Sequence, residues 1–200
     1  MKSSQFDRLA RKLFGDVLSD FGFSCEKSKH CMFHRKTAEE VFHFVLPDRG
    51  TKGSWFDVKV FATSPRIDPR FPICFPDELG IPSDRYSFLN KWSGVGPQQQ
   101  AFKCETPEEM QDTFEFEVKP LLLASAVPFL DKVASIVDLV PFIKRPFFLG
   151  LALKETGSSA KAKPILQAER DRLEAIFRSN PKAQDIKLLV DHLEFSLRDS

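Results

Sequence analysis

Long apolar runs are missing from this 200-residue chain. The longest, near Leu121 to Val127, is far short of the roughly 20 residues that span a bilayer, so a transmembrane helix is excluded. A charge excess is missing too. With 29 Lys and Arg against 28 Asp and Glu the formal net charge is +1, and no global field draws the chain to nucleic acid or an anionic membrane. Any partner is recognised locally. Cysteine is sparse: Cys25, Cys31, Cys74 and Cys104 sit at uneven spacings, and Met1 to Ser4 lead straight into a charged helix without an apolar signal core. This reads as a reduced, cytoplasmic protein.

Recognisable chemical motifs are absent as well. There is no dinucleotide fingerprint, nucleophile elbow or His-Glu-x-x-His pair, and no strand-helix alternation that would create a parallel-sheet switch point. The stretch from Gly50 to Ser54 lacks the spacer and ending of a phosphate loop, and a hairpin turn explains it better. Hydroxyl-bearing aromatics are nearly absent: Tyr86 is the single tyrosine, beside Trp55, Trp92 and 21 phenylalanines. Phenylalanine brings large apolar area with no hydroxyl to satisfy, which suits a thick dry core. An aromatic-lined ligand pocket is the alternative use.

What is present organises as α+β. Phe6, Leu9, Ala10, Leu13, Phe14, Val17, Leu18 and Phe21 follow helical spacing, and Gly22 supplies a left-handed stop. Residues around Met32 to Arg35, Val41 to Leu46 and Ser54 to Ala62 read as sequential antiparallel strands. Phe42, Phe44 and Leu46 oppose Val41, His43 and Val45, so the middle strand is apolar on both faces and central. Five prolines exclude regular structure between Ser64 and Pro82. A less regular hairpin, Tyr86 to Trp92 with Gln98 to Cys104, completes a sheet of about five strands.

Thr106 to Glu109 form a capping box with Pro107 at the first helical position. The periodicity predicts an acidic helix to about Lys119, a kink or restart at Pro120, and a further helix from Pro128 through Phe129, Leu130, Val133, Ile136 and Val137. Beyond Pro146 come a helix over Phe147 to Lys154 and an αα-hairpin over about Ala162 to Arg178 and Lys182 to Leu197. Residues 1–145 are read as an α+β domain and 146–200 as a helical extension on it, capping the domain or reaching out as a docking arm.

The order of a Phe6 to Phe21 helix, Gly22 and Phe23, a strand with Cys31 to Arg35, and two Phe-rich strands around Phe42 to Phe44 and Trp55 to Phe61 resembles a bacterial family of domains of unknown function. Trp92 and the proline-broken acidic helix with Pro128 to Leu130 extend the likeness over about residues 5 to 140. The resemblance implies no reaction and no catalytic residues. Some members look like immunity or toxin-neutralising proteins that act by binding.

Several residues are candidates for chemistry. Cys25, His30, Cys31 and His34 are zinc-type ligands, but their spacing lacks the paired arrangement of structural sites, and no metal is expected. Lys27, Lys29, His30, His34, Arg35 and Lys36 form a basic run that reads as a solvated edge strand rather than a nucleic-acid contact. Cys74, bracketed by aromatics and prolines, reads as an inert thiol. The leading expectation is a non-catalytic protein-binding protein that needs no cofactor, docking through Arg66, Arg70, Phe71 and Phe75. The rival is a small-molecule-binding domain or enzyme whose aromatic pocket uses His43, Trp55 and Trp92.

Overall fold

The computed structural model describes residues 1–25, 31–49, 53–68, 102–143 and 145–198. Helix α1, Ser3–Leu18, buries Phe6, Ala10, Leu13, Phe14 and Leu18. It tightens into a 3-10 turn over Ser19–Phe21 and stops at Gly22, whose φ of 78° a side chain would strain. Among the described residues five antiparallel strands follow in simple chain order: β1 Ser24–Cys25, β2 Phe33–Lys36, β3 Phe42–Arg49, β4 Trp55–Thr63 and β5 Phe102–Lys103. The apolar-on-both-faces strand, β3, is central as predicted. Pro47 sits where β3 has run beyond β2 and faces only Val58 of β4, the half-paired position a proline needs. β1 was not anticipated. Of the predicted last hairpin, Phe102 and Lys103 form β5, while Tyr86 to Trp92 and the Pro-rich stretch from Pro69 onward lie outside the described residues.

The two faces of the sheet have different neighbours. Phe33, Val45, Phe56, Val58, Val60 and Ala62 join α1 and the later helices in one continuous core. Phe44, Leu46, Phe61 and Met32 form a second buried cluster on the opposite face. There Phe44 stacks on its cross-strand partner Phe61 at 4.7 Å between ring centroids. Phe14 ties α1 to both neighbours, lying 4.8 Å from Phe114 and 6.1 Å from Phe33.

The helix that opens at Pro107 departs from expectation. Thr106 caps it by accepting from the Glu109 N–H at 3.1 Å, yet it passes straight through Pro120 and Pro128. A single rod, α2, runs through α-helical turns Pro107–Thr113, Lys119–Leu121 and Val127–Asp131, joined by π-helical turns Phe114–Val118 and Leu122–Ala126. The Lys119 N–H reaches back five residues to Phe114 O, and the Val127 N–H likewise reaches Leu122 O. Each widened turn sits just before a proline, where it relieves the clash between the pyrrolidine ring and the preceding turn. Widening also changes the period. Met110, Phe114, Val118, Leu122, Ala126 and Leu130 recur every fourth residue and all are buried. An ideal α-helix would rotate this stripe away by about 40° per step; here it stays on the core.

The predicted extension through Val137 is corrected too. α2 ends at Asp131, and a separate short helix, α3, Ile136–Leu139, starts under a Ser135–Asp138 capping box. Asp138 Oδ2 accepts from the N–H groups of Ala134 and Ser135 and from the Ser135 hydroxyl, bonds that hold its carboxyl below the usual carboxylate range. Local capping thus outcompeted the apolar periodicity.

Three further helices follow among the described residues: α4 Pro146–Glu155, α5 Ser159–Ser179 and α6 Gln184–Arg198. Gly150 lets α4 and α5 approach closely, since a Cβ there would lie 2.4 Å from Leu166 Cδ2. Leu173, Val190 and Leu193 are buried with the same continuous core as Phe6 and Phe33, so the α5–α6 pair packs on the body of the fold. The chain is α+β, and among the described residues no helix is long and apolar enough to cross a membrane.

Candidate functional site

His43 projects from β3 on the helix-covered face, opposite Ala62 and beside Arg35 of β2. Its ring is 1% exposed. Arg35 Nε donates to His43 Nδ1 at 3.0 Å, and Nε2 stands 2.6 Å from the Val133 carbonyl. Because guanidinium can only donate, Nδ1 is the acceptor, and the proton is on Nε2. Burial, with Arg35 adding to it, pushes the imidazole down to about 4, against the opposing pull of the Val133 bond. Both ring nitrogens are therefore committed and the ring is neutral at physiological pH. The geometry makes His43 a cross-brace rather than a proton-transfer group.

Arg35 extends the brace. Its Nη1 donates to Phe21 O at 2.9 Å, its Nη2 meets Asp131 Oδ1 at 2.5 Å, and the guanidinium lies 4.6 Å from the Phe23 ring centroid. Thr37, in the β2–β3 turn, donates to Ala134 O at 2.8 Å. Together these bonds fasten the end of α1, the β2–β3 hairpin and the end of α2. Sequence spacing gave no signal of it, because Arg35 and Asp131 are 96 residues apart.

Of the candidate pocket residues, His43 and Trp55 do not converge. Trp55 lies on the opposite face of the sheet from His43, 44% exposed, with Lys103 Nζ 5.8 Å from its ring centroid. Trp92 is outside the described residues. A cleft of about 210 Å³ lies elsewhere, lined by Gln5, Arg8, Leu9, Lys12 and Pro107 between α1 and the start of α2. It falls below the roughly 300 Å³ at which ligand pockets begin. Of the docking candidates, Arg66 Nη2 pairs with Glu155 Oε2 of α4 at 2.5 Å; Arg70, Phe71 and Phe75 are outside the described residues.

The zinc-type set separates. Cys25 pairs with Phe33 in the β1–β2 ladder and shares its face, whereas His34 pairs with Ser24 and shares the other; His30 is outside the described residues. Among the described residues no group of three His, Cys, Asp or Glu could hold a metal ion.

A feature missed in the sequence is the outward side of α2. The same four-residue period that buries one stripe lines up Glu108, Asp112, Phe116, Pro120, Ala124 and Pro128, all exposed, on the other. Phe116 is 79% exposed and Leu123 39%. Exposed Glu115 and Glu117 flank Phe116, so the stripe is acidic toward its start and apolar toward its end. The signal was available as strict recurrence at every fourth position, but a 3.6-residue template does not detect it. No protein-family model, curated protein or solved structure matches the chain.

Proposed function

We propose that this is a non-catalytic binding protein, of the immunity-like kind that the N-terminal resemblance implies, and that it receives a basic protein partner on the outward stripe of α2. The observation that carries the reading is Phe116, 79% exposed among carboxylates on a helix. Its ring contributes little to the core, while its burial in a complex is worth about 1.5–3 kcal/mol. Glu115 pairs with Lys119 at 2.8 Å, while Glu108, Asp112 and Glu117 leave the start of the stripe acidic; such a surface disfavours nucleic acid and anionic membranes, and a partner with Lys or Arg around an apolar pocket complements it.

The test compares wild type with a Phe116→Ser, Leu123→Ser variant and an Asp112→Lys, Glu115→Lys variant, each checked for unchanged melting. A partner captured from native lysate by wild type, lost by both variants and released by raised salt, supports the proposal. A partner retained by both variants overturns it.

A further inference from the structure

We propose that Cys25 and Cys31 form a peroxide-responsive dithiol, with Cys25 the sulfur that is oxidised and Cys31 the one that resolves it. The two residues flank five intervening positions between β1 and β2. Cys25 is opposite Phe33 in the ladder, and Cys31 is two residues before Phe33, so the strand alternation places both sulfurs on the helix-facing side. Cys25 is partly exposed, whereas Cys31 is 1% exposed. Arg11, one helical turn after Asp7 on α1, donates from Nη1 to Cys25 Sγ at 3.2 Å. The neighbouring Cys25 sulfur, with burial, pushes the Cys31 thiol up. Cys25 is thus the sulfur that receives the guanidinium, with the Asp7 carboxylate as the opposing charge beside the pair; a neighbouring Arg is the kind of environment in which cysteines react. Cys31 is a protonated thiol already in contact with it.

The chemistry balances with peroxide as the oxidant. The Cys25 thiolate attacks one peroxide oxygen, the O–O bond breaks, and Cys25 becomes a sulfenic acid while the other oxygen leaves as hydroxide and takes up a proton. The Cys31 sulfur then attacks the Cys25 sulfur, the S–O bond breaks, and the departing hydroxide takes the Cys31 proton as water. Two thiols lose two electrons in forming one disulfide, and hydrogen peroxide is reduced to two waters. Cys25 is the last residue of β1 and pairs with Phe33 at the edge of the sheet, so closing the two sulfurs to bonding distance displaces an edge strand rather than the central strands. The bond removes the Arg11 acceptor and locks the crossing from β1 to β2.

The experiment treats the full-length wild type, Cys31→Ser, Cys25→Ser and Arg11→Gln proteins with hydrogen peroxide, then blocks thiols and digests with trypsin. Cleavage after Lys27 and Lys29 separates the two cysteines, so a 25–31 disulfide appears as a linked peptide pair. Wild type should yield that pair ahead of any involving Cys74 or Cys104. Cys31→Ser should accumulate a sulfenate at Cys25 that a 1,3-dione traps, and Arg11→Gln should slow oxidation of Cys25 about tenfold and move the pH profile of its alkylation upward. A Cys25 that reacts no faster in wild type than in Arg11→Gln, or a wild type that yields no linked pair, overturns the proposal.

Discussion

Replacing His43 with glutamine should remove about 2 kcal/mol of the stability that the protein loses in mild acid, with the half-buried His192, whose pKa is also lowered, contributing in the same direction. The folded state holds the imidazole neutral, with Arg35 occupying Nδ1 and the Val133 carbonyl taking the Nε2 proton, and its pKa falls to about 4. In the unfolded chain the same group titrates near 6.5. Between those values the unfolded state binds more protons, so stability rises with pH in this window, is fully present above about 6.5, and is lost as pH falls toward 4. The linkage integral gives a loss of about 2 kcal/mol at about pH 5, approaching about 3 kcal/mol below the folded value. Arg35 and Asp131 face the ring, and both remain in a His43→Gln variant, whose amide N–H₂ can still donate toward Val133. Urea unfolding followed by far-ultraviolet circular dichroism, at about pH 7.5 and about pH 5, should show wild type losing about 2 kcal/mol more than the variant. In melting temperature the difference corresponds to about 4–8 °C for a chain of this size. Equal pH dependence in the two proteins would refute the reasoning, as would ring ¹⁵N shifts showing a protonated His43 in the folded protein at about pH 5.

Gly150→Ala should lower stability by about 1–2 kcal/mol, because forcing a Cβ against the buried Leu166 outweighs the gain in helix propensity; a melt at fixed pH checks it, and an unchanged melt would mean that α4 and α5 can slide apart. Glu40 holds φ 61° in the β2–β3 turn, so Glu40→Gly should raise stability by about 0.5–1 kcal/mol despite loss of its exposed pair with Lys36, read from the urea midpoint. Phe116→Ser should leave the melting temperature within about 2 °C of wild type, as expected for a side chain outside the core.

The legible parts of the fold were those in which a local rule and the tertiary structure agree. α1 showed a 3.6-residue stripe ending at a glycine, and β3 and β4 alternated with period two, so their faces could be assigned from the residues alone, while the register came only with the fold. β1 is two residues long, too short for any periodicity to register. In α2 the prolines signalled breaks that the widened turns absorb, and the apolar pattern across Leu130, Val133 and Ile136 masked the Ser135–Asp138 cap. The brace around His43 depends on Arg35 meeting Asp131 and on two backbone carbonyls, contacts that only the folded chain creates. His43 stood out in the sequence as a lone histidine on a central strand, but its partners had no sequence signature.

A helix that completes a turn every four residues does not spiral its side chains around the axis. Glu108, Asp112, Phe116, Pro120, Ala124 and Pro128 therefore form a straight ruler, with marks about 6 Å apart at the usual helical rise. An extended chain repeats its same-face side chains about every 6.8 Å, nearly the same gauge. Over two or three marks an extended segment therefore stays in step with these side chains, one per dipeptide, without the supercoiling that an ordinary helix would impose on it.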